Sequence, residues 1–145
     1  MERPYNMGTM SKAEFFSKIR SLLRRGFMFY LPMQKALEMA SRPSENKFNL
    51  RLKKEFLCAH CSQYFARKDV AIDHIQEVGE LNDWDQIVDF IKNLTCEDPA
   101  CYQILCKSIK DKAGNIIHEG CHDKKTQEYR RSKKLENDKL KENES

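Results

Sequence analysis

Two pairs of cysteines have the chemistry and spacing of a metal site. Cys58 and Cys61 form a C-x-x-C pair, which is a common zinc half-site, and Cys106 and Cys121 form a second, wider pair. Thiolates are typical ligands of structural Zn²⁺, which takes four of them in a tetrahedron. The sequence therefore predicts one zinc site of four cysteines. Buried free thiols are the alternative interpretation for the first pair.

Asp73, His74 and His122 have the residue types of a catalytic divalent-metal site. A carboxylate suits Mg²⁺ or Mn²⁺, and an imidazole ligand shifts the preference toward Mn²⁺, Ni²⁺ or Zn²⁺. We therefore expect Asp73 and His122 to hold one such ion. His74 follows Asp73 directly, and an imidazole that titrates near neutral pH suits a general base in phosphodiester hydrolysis. Taken singly, the three residues also fit a cap, a strand histidine and a helix N-terminal residue.

The order of these motifs resembles the HNH endonucleases, particularly the small phage-type members. The family pattern has a zinc C-x-x-C, a strand ending in Asp-His-Ile, a helix with Asp-Trp and a Leu-Cys. It ends in a Cys-His followed two residues later by Lys-Thr. The chain has these motifs at residues 58–61, 73–75, 83–84, 105–106 and 121–126. The resemblance covers about half of the chain.

The resemblance implies a ββα-metal nuclease core in which His74 serves as the general base. The last helix of the family lies against the DNA minor groove, where basic side chains bind phosphates without reading sequence. The basic residues expected there are Lys124, Lys125, Arg130, Arg131, Lys133 and Lys134.

The chain departs from the family pattern at two places. Cys101 stands five residues before Cys106, where the family has an Asn that orients the loop holding the metal site. A thiol cannot make the same amide hydrogen bonds, so we expect either reduced activity or support from another polar group. The second zinc pair is split by an insertion at about residues 107–120. Because Cys106 and Cys121 are equally far from a turn at residues 113–114, a hairpin would bring them together, whereas a disordered loop would destroy the site.

An α+β fold with a small HNH core, an N-terminal helical pair and a charged tail would position these residues. Ser11 and Glu14 form a capping box for the first helix, and Pro32 suits the first turn of the second. We expect this pair to pack on the core, an arrangement that also allows its basic side to contact DNA. The expected segments are a flexible leader at 1–10, the basic helical region at 11–54, the nuclease core at 55–134 and a disordered tail at 135–145.

Local patterns predict the elements next to the metal ligands. Residues 56–57 and 64–65 predict a hairpin around the first thiol pair, and residues 70–72 predict a strand that runs into the Asp-His pair. Asn82 or Asp83 would cap a helix that places Trp84 in the core.

The remaining cysteines and histidines are expected outside the metal sites. The start of the chain lacks the apolar region of a signal peptide, which favours a cytoplasmic location. In that compartment, six cysteines favour metal binding over disulfides. Cys96 and Cys101 are therefore expected to be free thiols. His60 is expected to be exposed, and His118 is a lesser zinc candidate on the inserted hairpin.

Charge is segregated along the 145 residues, although the net charge is only +4. Residues 12–54 carry eleven Lys and Arg against three acids, residues 55–105 carry three against ten, and residues 106–145 carry eleven against eight. Basic flanks can neutralise phosphates around an acidic centre that attracts cations, although charge runs are more often solvated surfaces. No apolar run has the length of a membrane span, so we expect a soluble protein without membrane contact.

These observations predict a metal-dependent endonuclease that nicks or cuts DNA in the cytoplasm of a phage-infected bacterial cell. By resemblance, it is a homing-type element or works beside a protein partner such as a phage packaging component. The alternatives are a zinc-stabilised DNA-binding protein with a weakened or inactive nuclease site, and an RNA-acting nuclease on the same scaffold. No pattern in the sequence indicates a target site or an oligomeric state.

Overall fold

The computed structural model describes all residues, Met1–Ser145, and they fold into two compact units. The first unit joins Met1–Glu38 to His74–Tyr102, and the second joins Met39–Asp73 to Gln103–Ser145. The architecture is mixed α+β, with four α-helices and small sheets built from seven short strands. This division cuts across the predicted segments, because the first helix shares a hydrophobic core with part of residues 74–102.

The first unit is built around one apolar cluster. Helix α1 (Lys12–Gly26) begins at the predicted capping box, in which Ser11 Oγ accepts the N–H of Glu14. Helix α2 (Leu31–Met39) follows, with Pro32 in its first turn. A 3₁₀ turn (Trp84–Gln86) leads into α3 (Ile87–Leu94). The buried cluster consists of Phe16, Val78, Leu81, Phe90 and Leu94.

Two features of the first unit differ from the expectation. Tyr5 pairs with Met10, and its ring stacks on Phe15 at 4.1 Å, so part of the expected leader is folded against α1. Trp84 is 51% exposed, so the prediction that it lies in the core is wrong. The reason is that Trp84 lies in the 3₁₀ turn, whereas the buried side of α3 runs through Phe90.

The second unit contains a three-stranded antiparallel sheet of β1 (Ser41–Pro43), β2 (Lys54–Leu57) and β3 (Tyr64–Phe65). Phe56 lies opposite Phe65, which confirms the predicted hairpin. The sequence does not predict β1, because Arg42-Pro43-Ser44 has the composition of a helix stop. Arg42 lies opposite Glu55, with Nε 2.8 Å from Oε1, and its guanidinium covers the ring of Tyr64. These long-range contacts hold β1 in the sheet.

Four further strands carry or flank the candidate ligands. Strands β4 (Val70–His74) and β5 (Tyr102–Cys106) form a two-stranded sheet, and β6 (Ile109–Lys110) and β7 (Ile116–His118) form the predicted hairpin. Ile109 lies opposite His118, which is the register expected from a turn at residues 113–114. Gly114 has a φ of +86° in that turn, a conformation that glycine adopts without steric cost.

Helix α4 (Cys121–Glu144) ends the chain and contains 24 residues. It continues through residues 135–144, where the sequence predicts a disordered tail. The residues after Gly120 include no glycine or proline and are rich in Lys and Glu, which are good helix formers. None of the four helices combines the length and the apolar character that a membrane crossing requires.

Candidate metal centres

The four predicted zinc ligands converge in the second unit. The Sγ atoms of Cys58, Cys61, Cys106 and Cys121 all lie within 4.8 Å of one another. Sulfur atoms about 2.3 Å from a tetrahedral zinc ion are about 3.8 Å apart, so a small contraction of the cluster would fit the ion. The four cysteines therefore lie close enough to bind a metal ion, as the sequence predicts.

Two hairpins and a set of backbone hydrogen bonds bring these thiols together. The β2–β3 turn supplies Cys58 and Cys61, and the β6–β7 hairpin returns the chain to the same place. The N–H of Cys106 donates to Cys58 Sγ at 3.4 Å, and the N–H of Cys121 donates to Cys106 Sγ at 3.3 Å. Such hydrogen bonds orient metal ligands. His118 Nε2 lies 3.3 Å from Cys106 Sγ, so this histidine contacts a ligand.

The surroundings give the thiols unequal acidities. Burial alone would raise the pKa of the Cys58 thiol, but backbone N–H groups, led by that of Cys61, lower it to about 7. Burial and hydrogen bonds with the Cys106 and Cys58 sulfurs raise the pKa of Cys121 to about 12. Burial also raises the pKa of Cys106. Because cysteines ligate metals as thiolates, a bound cation would replace the protons on these groups.

Gly120 permits two chain segments to approach closely at the cluster. It caps the start of α4, and its N–H donates to Ser108 Oγ at 2.9 Å. A Cβ atom at this position would lie 2.3 Å from the backbone carbon of Lys107 and 2.3 Å from the nitrogen of Ser108. No side chain fits there, so Gly120 allows Cys121 to reach Cys106.

Asp73 and His122 form a second candidate centre in the same unit. Asp73 Oδ1 lies 3.9 Å from His122 Nε2. Neighbouring ligand atoms about 2.1 Å from an octahedral ion are about 3.0 Å apart, so these two side chains would have to approach each other by about 0.9 Å to hold one ion. The other carboxylate oxygen, Oδ2, accepts hydrogen bonds from Gln103 Nε2 at 3.0 Å and Lys125 Nζ at 2.5 Å. A carboxylate and an imidazole suit a divalent ion that takes its remaining ligands from water or substrate.

His74, the predicted base, contacts two residues of the first unit. Its Nε2 lies 3.0 Å from the carbonyl oxygen of Leu94, and the centroid of its ring lies 4.9 Å from that of Tyr102. A carbonyl oxygen can only accept, so Nε2 carries the proton and Nδ1 of the neutral ring is the basic nitrogen. His74 lines a cavity of about 370 Å³ together with Lys92 and Asn93.

Cys96 and Cys101 form a disulfide, so the expectation that they are free thiols is wrong. That expectation rested on the missing secretory signal, whereas the pairing follows from a 3₁₀ turn that brings the two Cα atoms to 6.4 Å. The carbonyl oxygen of Cys101 accepts the N–H of Ile75 at 2.9 Å, and Tyr102 Oη donates to the carbonyl oxygen of Cys96 at 2.7 Å. The bridged residues thus contact Tyr102 and Ile75, which directly follows His74.

The basic residues of α4 fall into two groups. Lys125 is paired with Asp73, and Lys133 Nζ lies 3.2 Å from Glu136 Oε2. The other four are exposed, and each lies three, four or seven residues from at least one other member, which places them on neighbouring parts of the helix surface. They are Lys124, Arg130, Arg131 and Lys134. These four residues are the exposed basic group of α4.

The sequence does not predict the contacts that two residues make at these centres. Gln103 reaches Asp73 from β5, and Gly120 lies against the backbone beside the cysteine cluster. A glutamine within a strand and a glycine before a helix are common, so only the folded chain reveals what they contact. No protein-family model, curated protein or solved structure matches the chain.

Proposed function

We propose that this protein is an HNH-type endonuclease that uses a divalent ion to hydrolyse phosphodiester bonds in DNA. The observation that carries the proposal is the Asp73 carboxylate facing the His122 imidazole at 3.9 Å. His122 lies at the start of a helix whose exposed basic group suits a DNA backbone. The cysteine cluster supports the proposal, because Cys121 precedes His122 and can fix the start of that helix. Four thiolates suit Zn²⁺ at the cluster.

Each residue has a defined task in this proposal. Asp73 and His122 would hold Mg²⁺ or Mn²⁺, with Ni²⁺ or Zn²⁺ as further options, and the bound ion neutralises charge on the phosphate and the leaving oxygen. His74 takes a proton from water at Nδ1, because its Nε2 already donates to Leu94. The exposed basic group binds backbone phosphates without reading bases.

Cleavage of supercoiled plasmid by the zinc-loaded protein tests the proposal. We expect nicked or linear DNA with Mg²⁺ or Mn²⁺, and intact plasmid when the added ion is omitted. Asp73→Ala and His122→Ala should each remove cleavage because each removes a ligand of the ion, while the zinc content stays that of the wild type. Asp89→Ala, at an exposed acid of α3, is the matched control and should cleave normally. Cleavage by the Asp73→Ala protein at the wild-type rate would contradict the assignment.

A zinc-stabilised DNA-binding protein with an inactive nuclease site is the second candidate. The observation that favours it is Cys101, which forms a disulfide with Cys96 at the position where the resembled family has an Asn. Retention of labelled duplex DNA without cleavage under Mg²⁺, Mn²⁺, Ni²⁺ or Zn²⁺ would favour this candidate. An RNA of equal length in the same assay tests the RNA-acting alternative.

A further inference from the structure

One oxygen of Asp73 is held by two donors, which leaves the other oxygen for a different partner. Gln103, in β5, donates to Oδ2 at 3.0 Å, and Lys125, in α4, donates to the same oxygen at 2.5 Å. Oδ1 faces His122 Nε2 at 3.9 Å, which is beyond hydrogen-bond length. The Asp73 side chain is only 17% exposed, so protein donors, more than water, decide how it is oriented.

The two donors matter because a carboxylate can otherwise rotate about its terminal torsion. The terminal torsion of an aspartate is broad and roughly two-fold, so an unrestrained carboxylate can present either oxygen to an ion. Two donors on Oδ2 oppose that rotation and leave Oδ1 as the oxygen directed toward His122. Carboxylates that ligate metals are commonly held by hydrogen bonds of this kind.

We propose that Gln103 and Lys125 are positioning residues that reserve Oδ1 of Asp73 for the divalent ion. The inference rests on the proposed function, because it concerns the ion assigned to Asp73 and His122. Lys125 follows His122 by three residues and so lies on the same side of α4. Helix α4 therefore supplies both the metal ligand His122 and a residue, Lys125, that holds the other ligand, Asp73. This role replaces the expected contact of Lys125 with a DNA phosphate.

Substitution of Gln103 is a more specific test than substitution of Lys125, because it changes no charge near the proposed ion. The experiment titrates zinc-loaded, DNA-free protein with Mn²⁺ and reads the unbound Mn²⁺ from its electron paramagnetic resonance signal. We expect Gln103→Leu to bind Mn²⁺ about 10–100-fold more weakly, the usual effect of removing a group that orients a metal ligand. Gln127→Leu makes the same change at an exposed position of α4 and should bind Mn²⁺ like the wild type.

Cleavage kinetics add a readout that a general loss of structure would not reproduce. The Gln103→Leu protein should need about 10–100-fold more Mn²⁺ for half-maximal cleavage. Its rate at saturating Mn²⁺, its KM for DNA and its zinc content should stay near the wild-type values. Gln103→Met introduces an unbranched side chain of similar length that cannot donate a hydrogen bond. It should give the same result, which would show that the effect of leucine does not come from distortion of β5.

Unchanged Mn²⁺ affinity in both Gln103 variants would overturn the inference. Parallel decreases in zinc content, DNA affinity and Mn²⁺ affinity would also overturn it, because they would indicate a structural role. The nuclease proposal fails separately: a wild-type protein that binds Mn²⁺ through Asp73 but never cleaves DNA would refute the activity, while the titration still judges Gln103. Mn²⁺ binding that is insensitive to Asp73→Ala would overturn both.

Discussion

At the scale of single residues, His74 and His122 differ in what their Nε2 atoms face. Nε2 of His74 donates to the carbonyl oxygen of Leu94, so Nδ1 is the nitrogen that can accept a proton when the ring is neutral. Nε2 of His122 faces the carboxylate of Asp73, so a nitrogen and an oxygen are directed toward the same space. The first arrangement suits a base and the second suits a metal ligand.

We predict that His74→Ala lowers the rate of plasmid cleavage by about 10²–10⁴-fold, which is the usual contribution of a general base. DNA affinity should stay unchanged, because His74 is assigned no contact with phosphate. His60→Ala removes an exposed histidine and is the matched control for the loss of an imidazole. Time courses of plasmid nicking measure the effect, and near-wild-type nicking by the His74→Ala protein would exclude it as the base.

At the scale of elements, the sequence predicts the parts that local signals determine. The capping box of α1, the β2–β3 hairpin and the turn between β6 and β7 all depend on residues close together in the chain. Strand β1 depends instead on the distant pairing of Arg42 with Glu55. Gln103 likewise contacts Asp73 across 30 residues, and no local pattern encodes that distance. The four cysteines are the exception, because their ligand chemistry indicates the contact directly.

Gly120→Ala is predicted to lower the free energy of unfolding by roughly 3 kcal/mol, at the upper end of the cost of overpacking. The added Cβ would meet backbone atoms of Lys107 and Ser108 at 2.3 Å, and backbone cannot move aside as a flexible side chain can. Displacing this segment also shifts Cys106 away from Cys121, so the zinc content should fall. Urea unfolding and elemental analysis measure the two effects.

Gly26→Ala is the control for that substitution. No atom lies within 4 Å of the position that its Cβ would occupy, and the residue ends helix α1. Alanine is favoured over glycine in helices, so the change in unfolding free energy should stay within about 1 kcal/mol and be stabilising. Equal destabilisation by the two substitutions would show that the close approach at Gly120 is unimportant.

At the scale of the whole molecule, the net charge of +4 does not show which basic residues of helix α4 are paired with acids. Four of the six basic residues expected to meet DNA are exposed on α4, whereas Lys125 and Lys133 pair with acids. A count of lysines and arginines in the sequence therefore does not reveal that two of these six residues are paired with acids. The difference arises because ion pairs depend on the fold, while charge counts do not.

The double substitution of Arg131 and Lys134 by Gln should weaken DNA binding for all sequences and flatten its dependence on salt. The slope of log affinity against log salt should fall by about 0.9 for each phosphate that the protein no longer neutralises. Lys139→Gln with Lys141→Gln removes the same charge from an exposed part of α4 farther from His122 and is the control. Fluorescence anisotropy over a range of salt concentrations gives the slopes. Identical slopes for the two double variants would place the DNA elsewhere.

Cys121 and His122 are adjacent at the start of α4, and we predict that this adjacency links the two proposed metal centres thermodynamically. The first turn of a helix is its costly step, so a zinc ion that fixes Cys121 also prepares His122 for the second ion. Linkage is reciprocal, and each ion should therefore raise the affinity of the other by the same factor. We expect zinc removal to weaken Mn²⁺ binding by about 5–150-fold in calorimetric titrations, the usual range of such coupling. Equal Mn²⁺ affinities with and without zinc would mean that the two centres act independently.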